Sequence, residues 1–151
     1  MKKLFTCILI GSLSITTYAQ ESMEKVMEKR AKEMHRVISQ TDKEQWRKFI
    51  KENYTQALID KPMRTTVKES GPGTPSTTPE VKAADNLEAK VNMFERLHCD
   101  FGGSKITSIK SNEEILKMTL DNGSGLIGIF QLKFDKNKPY LIDGLGIQAE
   151  N

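Results

Sequence analysis

The sequence predicts an α+β fold in which helices pack on a curved four-stranded antiparallel sheet. Three observations carry this. From about Ser22 to His98, apolar residues recur three and four apart, the period of helices with one buried face. From Lys105 onward the pattern changes to alternation, as in Leu116, Met118 and Leu120 and again in Phe130, Leu132 and Phe134. That is the period of strands with one face on a core and one in water. Between the alternating runs stand Asp121-Asn122-Gly123-Ser124-Gly125 and Asp135-Lys136-Asn137-Lys138-Pro139, turn chemistry that sends the chain back antiparallel.

The first helix is expected from about Ser22 to Ser39, with Met23, Val26, Met27, Met34, Val37 and Ile38 on one stripe. A methionine-rich stripe also suits an adaptable binding surface, but packing on its own core is the simpler expectation. Thr41-Asp42-Lys43-Glu44 reads as a capping box opening the second helix, Thr41 accepting from the Glu44 amide and Glu44 reaching back. Trp46, Phe49, Ile50 and Tyr54 follow on one face, and Ala57, Leu58 and Ile59 extend the apolar content to Lys61-Pro62. Residues 65–82, with Gly71-Pro72-Gly73-Thr74-Pro75-Ser76-Thr77-Thr78-Pro79, have loop composition. The third helix is expected from about Asp85 to His98, capped by Asp85 or Asn86, with Leu87, Val91, Phe94 and Leu97 on its inner face and Gly102-Gly103 beyond its end. The four strands are expected at Lys105–Lys110, Glu114–Leu120, Leu126–Phe134 and Tyr140–Gln148.

A length of 151 residues fits one domain, and 37% hydrophobic content is enough for one core. The amino-terminal part has secretory-signal anatomy: Met1-Lys2-Lys3, an apolar run from Leu4 to Ile15, then Thr17-Tyr18-Ala19 with small residues at the cleavage positions. Residues 1–19 are therefore expected to be a signal peptide and 20–151 the exported domain, periplasmic or extracellular. The apolar run is short for a bilayer-spanning helix, so no membrane span is expected after cleavage. Without Lys2 and Lys3 the 23 basic residues become 21 against 20 acidic, a net charge of +1, which gives nucleic acid no electrostatic hold. Cleavage also removes Cys7, leaving Cys99 without a disulfide partner. Cys99 is then expected to be a buried apolar side chain.

Trp46, Phe49 and Tyr54 on an early helix, Phe94 and Leu97 ahead of Gly102-Gly103, and the closing Gly144-Leu145-Gly146-Ile147 form a recognisable set. Over about Val37 to Gln148 the chain resembles the small α+β module that precedes serine-hydrolase or protease domains in exported bacterial proteins. The resemblance implies a cystatin-like or nuclear-transport-factor-2-like cone, an accessory fold. It carries over no catalytic residue, and no Gly-x-Ser-x-Gly nucleophile motif occurs.

Chemistry has few footholds. His35 and His98 are not spaced as a helical metal pair, and no His-Glu-x-x-His motif occurs; no cofactor or metal is expected. His35 reads as a surface residue. His98 beside Cys99-Asp100 is the densest polar cluster near a helix end. Asp143 shares strand parity with Leu141, Leu145 and Ile147, which points it at the core unless a β-bulge at Asp143-Gly144 turns it out to water; the bulge is preferred. Gly123, Gly125, Gly144 and Gly146 serve turns and strand bends, since none opens a helix as a phosphate loop does. The expected function is a non-catalytic exported binding or interaction module. Its partner would be a small apolar ligand in the sheet's concavity, contacted by Asp143, His98, Phe130 and Trp46, or another protein; a homodimer through the sheet face is a third arrangement. The alternative is a small pocket enzyme of the same fold with Asp143 or His98 as its acid-base group.

Overall fold

The computed structural model describes residues 22–63 and 83–150. The expected signal peptide and the loop at 65–82 lie outside the described residues. Four helices, α1 (Met23–Ile38), α2 (Lys43–Asn53), α3 (Gln56–Asp60) and α4 (Ala83–Phe101), precede four strands, β1 (Lys105–Asn112), β2 (Ile115–Asp121), β3 (Ile127–Phe134) and β4 (Ile142–Glu150). The strands form one antiparallel meander in the order β1-β2-β3-β4. The helices pack on one face of this curved, open sheet. No helix of the described residues is long and apolar enough to cross a membrane.

The core lies where the two periodicities meet. Met27, Met34, Val37 and Ile38 of α1, Trp46, Phe49 and Ile50 of α2, and Val91, Phe94 and Leu97 of α4 are buried against Leu116, Met118, Leu120, Phe130, Leu132, Phe134 and Ile142 of the sheet. The methionine stripe of α1 is thus core packing. Gly128 sits among these inward residues because nothing larger fits: a Cβ there would lie 2.6 Å from Cζ of Phe101 and 2.9 Å from Cε2 of Phe130. At the β2–β3 turn, Gly123 and Gly125 hold φ of +75° and +98°, the left-handed region that glycine enters without a steric penalty.

Several expected boundaries move. The cap of α2 is Asp42, not Thr41; its Oδ1 accepts from the amides of Glu44 and Gln45 at 2.9 and 3.3 Å. Gln45 Nε2 donates back to Asp42 Oδ2 at 3.1 Å, so the capping frame slides one residue and places a carboxylate at the positive helix end. The second apolar run is two helices. The chain leaves α2 at Tyr54, which is extended and bridges to Ile142 in parallel, and Thr55 caps α3 with its hydroxyl on the Leu58 amide. Helix α4 runs to Phe101, past the expected end at His98, and includes Asp85 and Asn86, which were expected to cap it. Asn86 and Lys90 instead face the carbonyl end of α3: Asn86 Nδ2 donates to the Asp60 carbonyl, and Lys90 Nζ donates to those of Ile59 and Lys61. The last strand starts at Ile142 rather than Tyr140, because Tyr140 takes φ of +57° in the turn before it.

Candidate functional site

The clearest functional feature starts from one residue on α1. Arg30 lies four residues after Val26 and four before Met34, so its spacing puts a cation on the apolar stripe. The fold does not bury it outright. Arg30 is half-buried at the margin of the core, where two neighbours hold its guanidinium. Nη1 donates to Asn53 Oδ1 and Nη2 to the Pro139 carbonyl, the latter at 3.0 Å. Asn53 is itself oriented, its Nδ2 donating to the Phe49 carbonyl at 2.9 Å. Pro139 belongs to the β3–β4 turn, which Tyr140 N–H closes by donating to the Asn137 carbonyl at 2.8 Å.

These groups border a cleft of about 500 Å³ between α1, the end of α2 and the β3–β4 turn. Val26, Pro139 and Tyr140 give it apolar surface; Lys29, Arg30 and Lys138 give it three cations. The one carboxylate on its lining, Glu33, is taken by Arg36. Arg36 Nε and Nη2 donate to Glu33 Oε2 and Oε1 at 2.9 and 2.7 Å, and that pairing holds the Glu33 carboxyl below the usual range. Among the described residues Arg30 has no ion-pair partner, and its buried Nε has no hydrogen-bond partner. Burial pulls its pKa down, yet a guanidinium keeps its charge under all ordinary conditions. The cleft is therefore a net positive, partly desolvated recess. A half-buried cation with spare donor capacity favours an oxyanion. The side chains that line the cleft include no serine, cysteine or histidine.

The residues expected to contact a ligand are placed elsewhere. Trp46 is 2% exposed and donates Nε1–H to the Val37 carbonyl at 2.7 Å. His98 stands beside it, ring centroids 6.0 Å apart, with Nδ1 donating to the Ile38 carbonyl at 2.8 Å. These two are brought together, and both bond to carbonyls at the end of α1. Phe130 is fully buried and meets Phe101 edge-on at 5.5 Å. Asp143 is exposed and accepts from Thr55 Oγ1 at 2.9 Å. The register shift between Lys133 and Phe134 leaves Asp143 unpaired opposite them; this is the bulge at Asp143-Gly144, and it turns the carboxylate out. The concave face of the sheet is filled by core side chains, leaving room at its rim.

Two smaller expectations change. Cys99 is exposed, not buried, because α4 keeps Leu97 and Phe101 on its inner face, and Cys99, two residues from each, falls on the opposite side of the helix. His35 is half-buried and donates Nε2–H to the Ser104 carbonyl at 3.0 Å, tying α1 to the start of β1. A Ser-x-x-Lys spacing does occur, at Ser22-Met23-Glu24-Lys25. There Ser22 is the exposed cap of α1, its Oγ accepting from the Lys25 amide at 3.5 Å, a structural use of the hydroxyl. The signal that would have found the cleft was the charge of Arg30 inside an apolar stripe. Asn53, Pro139 and Tyr140 carried no such mark, since only the tertiary fold brings them to Arg30.

No family model, curated protein or solved structure matches the chain.

Proposed function

We propose that this chain is an exported, non-catalytic binding module that holds a small oxyanion-bearing molecule with a flat apolar body in the Arg30 cleft. The observation that carries the reading is the half-buried Arg30 guanidinium, oriented by Asn53 and Pro139 yet lacking a carboxylate partner among the described residues. Lys29 and Lys138 add long-range attraction, and Val26, Pro139 and Tyr140 supply the surface for an apolar body. The module reading also draws on the resemblance to accessory domains of exported bacterial proteins. A cystatin-like or nuclear-transport-factor-2-like cone suits the helix-covered sheet. The enzyme alternative uses His98 or Asp143 as its acid-base group and needs a second polar group to converge with it on one cavity. Their bonds to the Ile38 carbonyl and the Thr55 hydroxyl give it no support.

The test compares benzoate with benzamide, equal in shape and different in charge, by amide shift perturbation of the mature chain. Benzoate is expected to shift Val26, Arg30, Asn53 and Tyr140, and benzamide to leave them in place. Arg30→Gln, which keeps the size and some donor capacity, is expected to abolish the benzoate response. Equal responses to the two probes, or an unchanged response in R30Q, would refute the proposal.

A further inference from the structure

A second cleft, of about 380 Å³, lies between α3, α4 and β4. Leu58, Met63, Met93 and Leu145 give it aliphatic and thioether walls. Met63, 43% exposed, stands out among the described residues as a large apolar side chain open to solvent. Two polar groups meet this apolar surface. Tyr54 lines the cleft and is 2% exposed, and its buried hydroxyl has no hydrogen-bond partner among the described residues. A phenol buried in this way ordinarily finds an acceptor. Burial also raises its pKa, so the hydroxyl keeps its proton and remains a donor.

Lys90 is the other group. It is 4% exposed, and its ammonium donates to the carbonyls of Ile59 and Lys61 at 2.9 and 2.7 Å. Those oxygens orient the charge without neutralising it. Among the described residues no carboxylate lies in ion-pair range of Lys90. Asp60 acts on it at longer range and accepts from Gln56 Nε2 at 2.9 Å. The cleft therefore joins an apolar trough, an unused donor and an uncompensated positive charge.

From this arrangement we infer a second binding site, independent of the Arg30 cleft, for a short-chain aliphatic carboxylate. Its carboxylate accepts from the Tyr54 hydroxyl and faces Lys90, and its chain lies along Leu58, Met93 and Leu145. A buried donor that lacks a partner gains a full hydrogen bond on binding, and the ammonium favours an anionic acceptor over a neutral one.

Sodium octanoate and 1-octanol serve as probes, followed by methyl and amide shifts of the mature chain. Octanoate is expected to shift the Leu58, Met93 and Leu145 methyl signals. Octanol is expected to bind at least tenfold more weakly, and Tyr54→Phe to weaken octanoate at least tenfold. Met93→Trp, which fills the trough and leaves the phenol in place, is expected to block octanoate as well. Arg30→Gln is expected to leave octanoate binding unchanged, so the two sites fail or survive separately. The inference is overturned if octanoate leaves the three methyl signals in place, if octanol binds as tightly, or if folded Y54F or M93W binds octanoate like the wild type.

Discussion

Trp46→Phe separates a structural indole from a ligand-binding one. Trp46 lies 2% exposed between the end of α1 and His98 on α4, and its Nε1–H reaches the Val37 carbonyl at 2.7 Å. Phenylalanine keeps the six-membered ring and loses the pyrrole edge with its donor. The buried hydrogen bond contributes about 1 kcal/mol net. The Val37 carbonyl still accepts from the Gln40 amide at 3.1 Å, so its oxygen is not orphaned and no further desolvation penalty applies. The missing ring atoms leave a void of roughly 40 Å³, costing about 1 kcal/mol. The lost apolar burial adds about 1 kcal/mol more. The variant should thus be about 3 kcal/mol less stable, read from urea unfolding followed by far-ultraviolet circular dichroism. That signal is needed because the chain has one tryptophan and the substitution removes its fluorescence. Benzoate and octanoate binding by the folded variant should match the wild type. A loss under about 1 kcal/mol would refute the packing argument, and a selective loss of binding would return Trp46 to the ligand site.

Two further outcomes follow from the packing and the charges. Gly128→Ala would push a methyl group into the Phe101 ring and disturb its edge-on contact with Phe130. A loss of about 1–3 kcal/mol is expected from overpacking, measured by the same unfolding assay; a neutral result would show that the ring shifts freely. Lys90 is held by burial below its ordinary pKa of 10.5. Between the folded value and 10.5 the unfolded chain binds more protons, so this group's contribution to stability rises with pH across that window. The Tyr54 phenol, held above its ordinary 10.0, works in the opposite direction, and stability falls above pH 10 as the unfolded phenol ionises. Because both proteins carry Tyr54, the difference in unfolding free energy between wild type and Lys90→Met isolates the lysine. That difference should move in favour of the wild type toward pH 10.5, and a flat difference would refute the assignment.

Where local chemistry decides the structure, the sequence was legible. The stripe of α1, the alternation of β2 and β3, the positive-φ glycines after Asn122 and the bulge at Asp143-Gly144 all follow from neighbours within a few residues. The structure departs from the sequence pattern where two local solutions compete closely. Thr41 and Asp42 both suit an N-cap, and the carboxylate accepted the free amides. The apolar run from Trp46 to Ile59 fits one helix by period, but Tyr54 is drawn out into an extended bridge with Ile142, 88 residues later. Cys99 is exposed because helical phase, not residue type, decides which way its side chain faces.

The sequence by itself determined the class of fold: the change of apolar period from helical to alternating sets which elements form and which face each one buries. It also held, unread, the charge of Arg30 within an apolar stripe. Only the tertiary structure decided what that charge meets. Asn53 and Pro139 come from other elements, as do Ile59 and Lys61 around Lys90. Periodicity specifies which way a side chain faces along its own element. It contains no term for the partner across the gap, and both candidate sites are made of such partners.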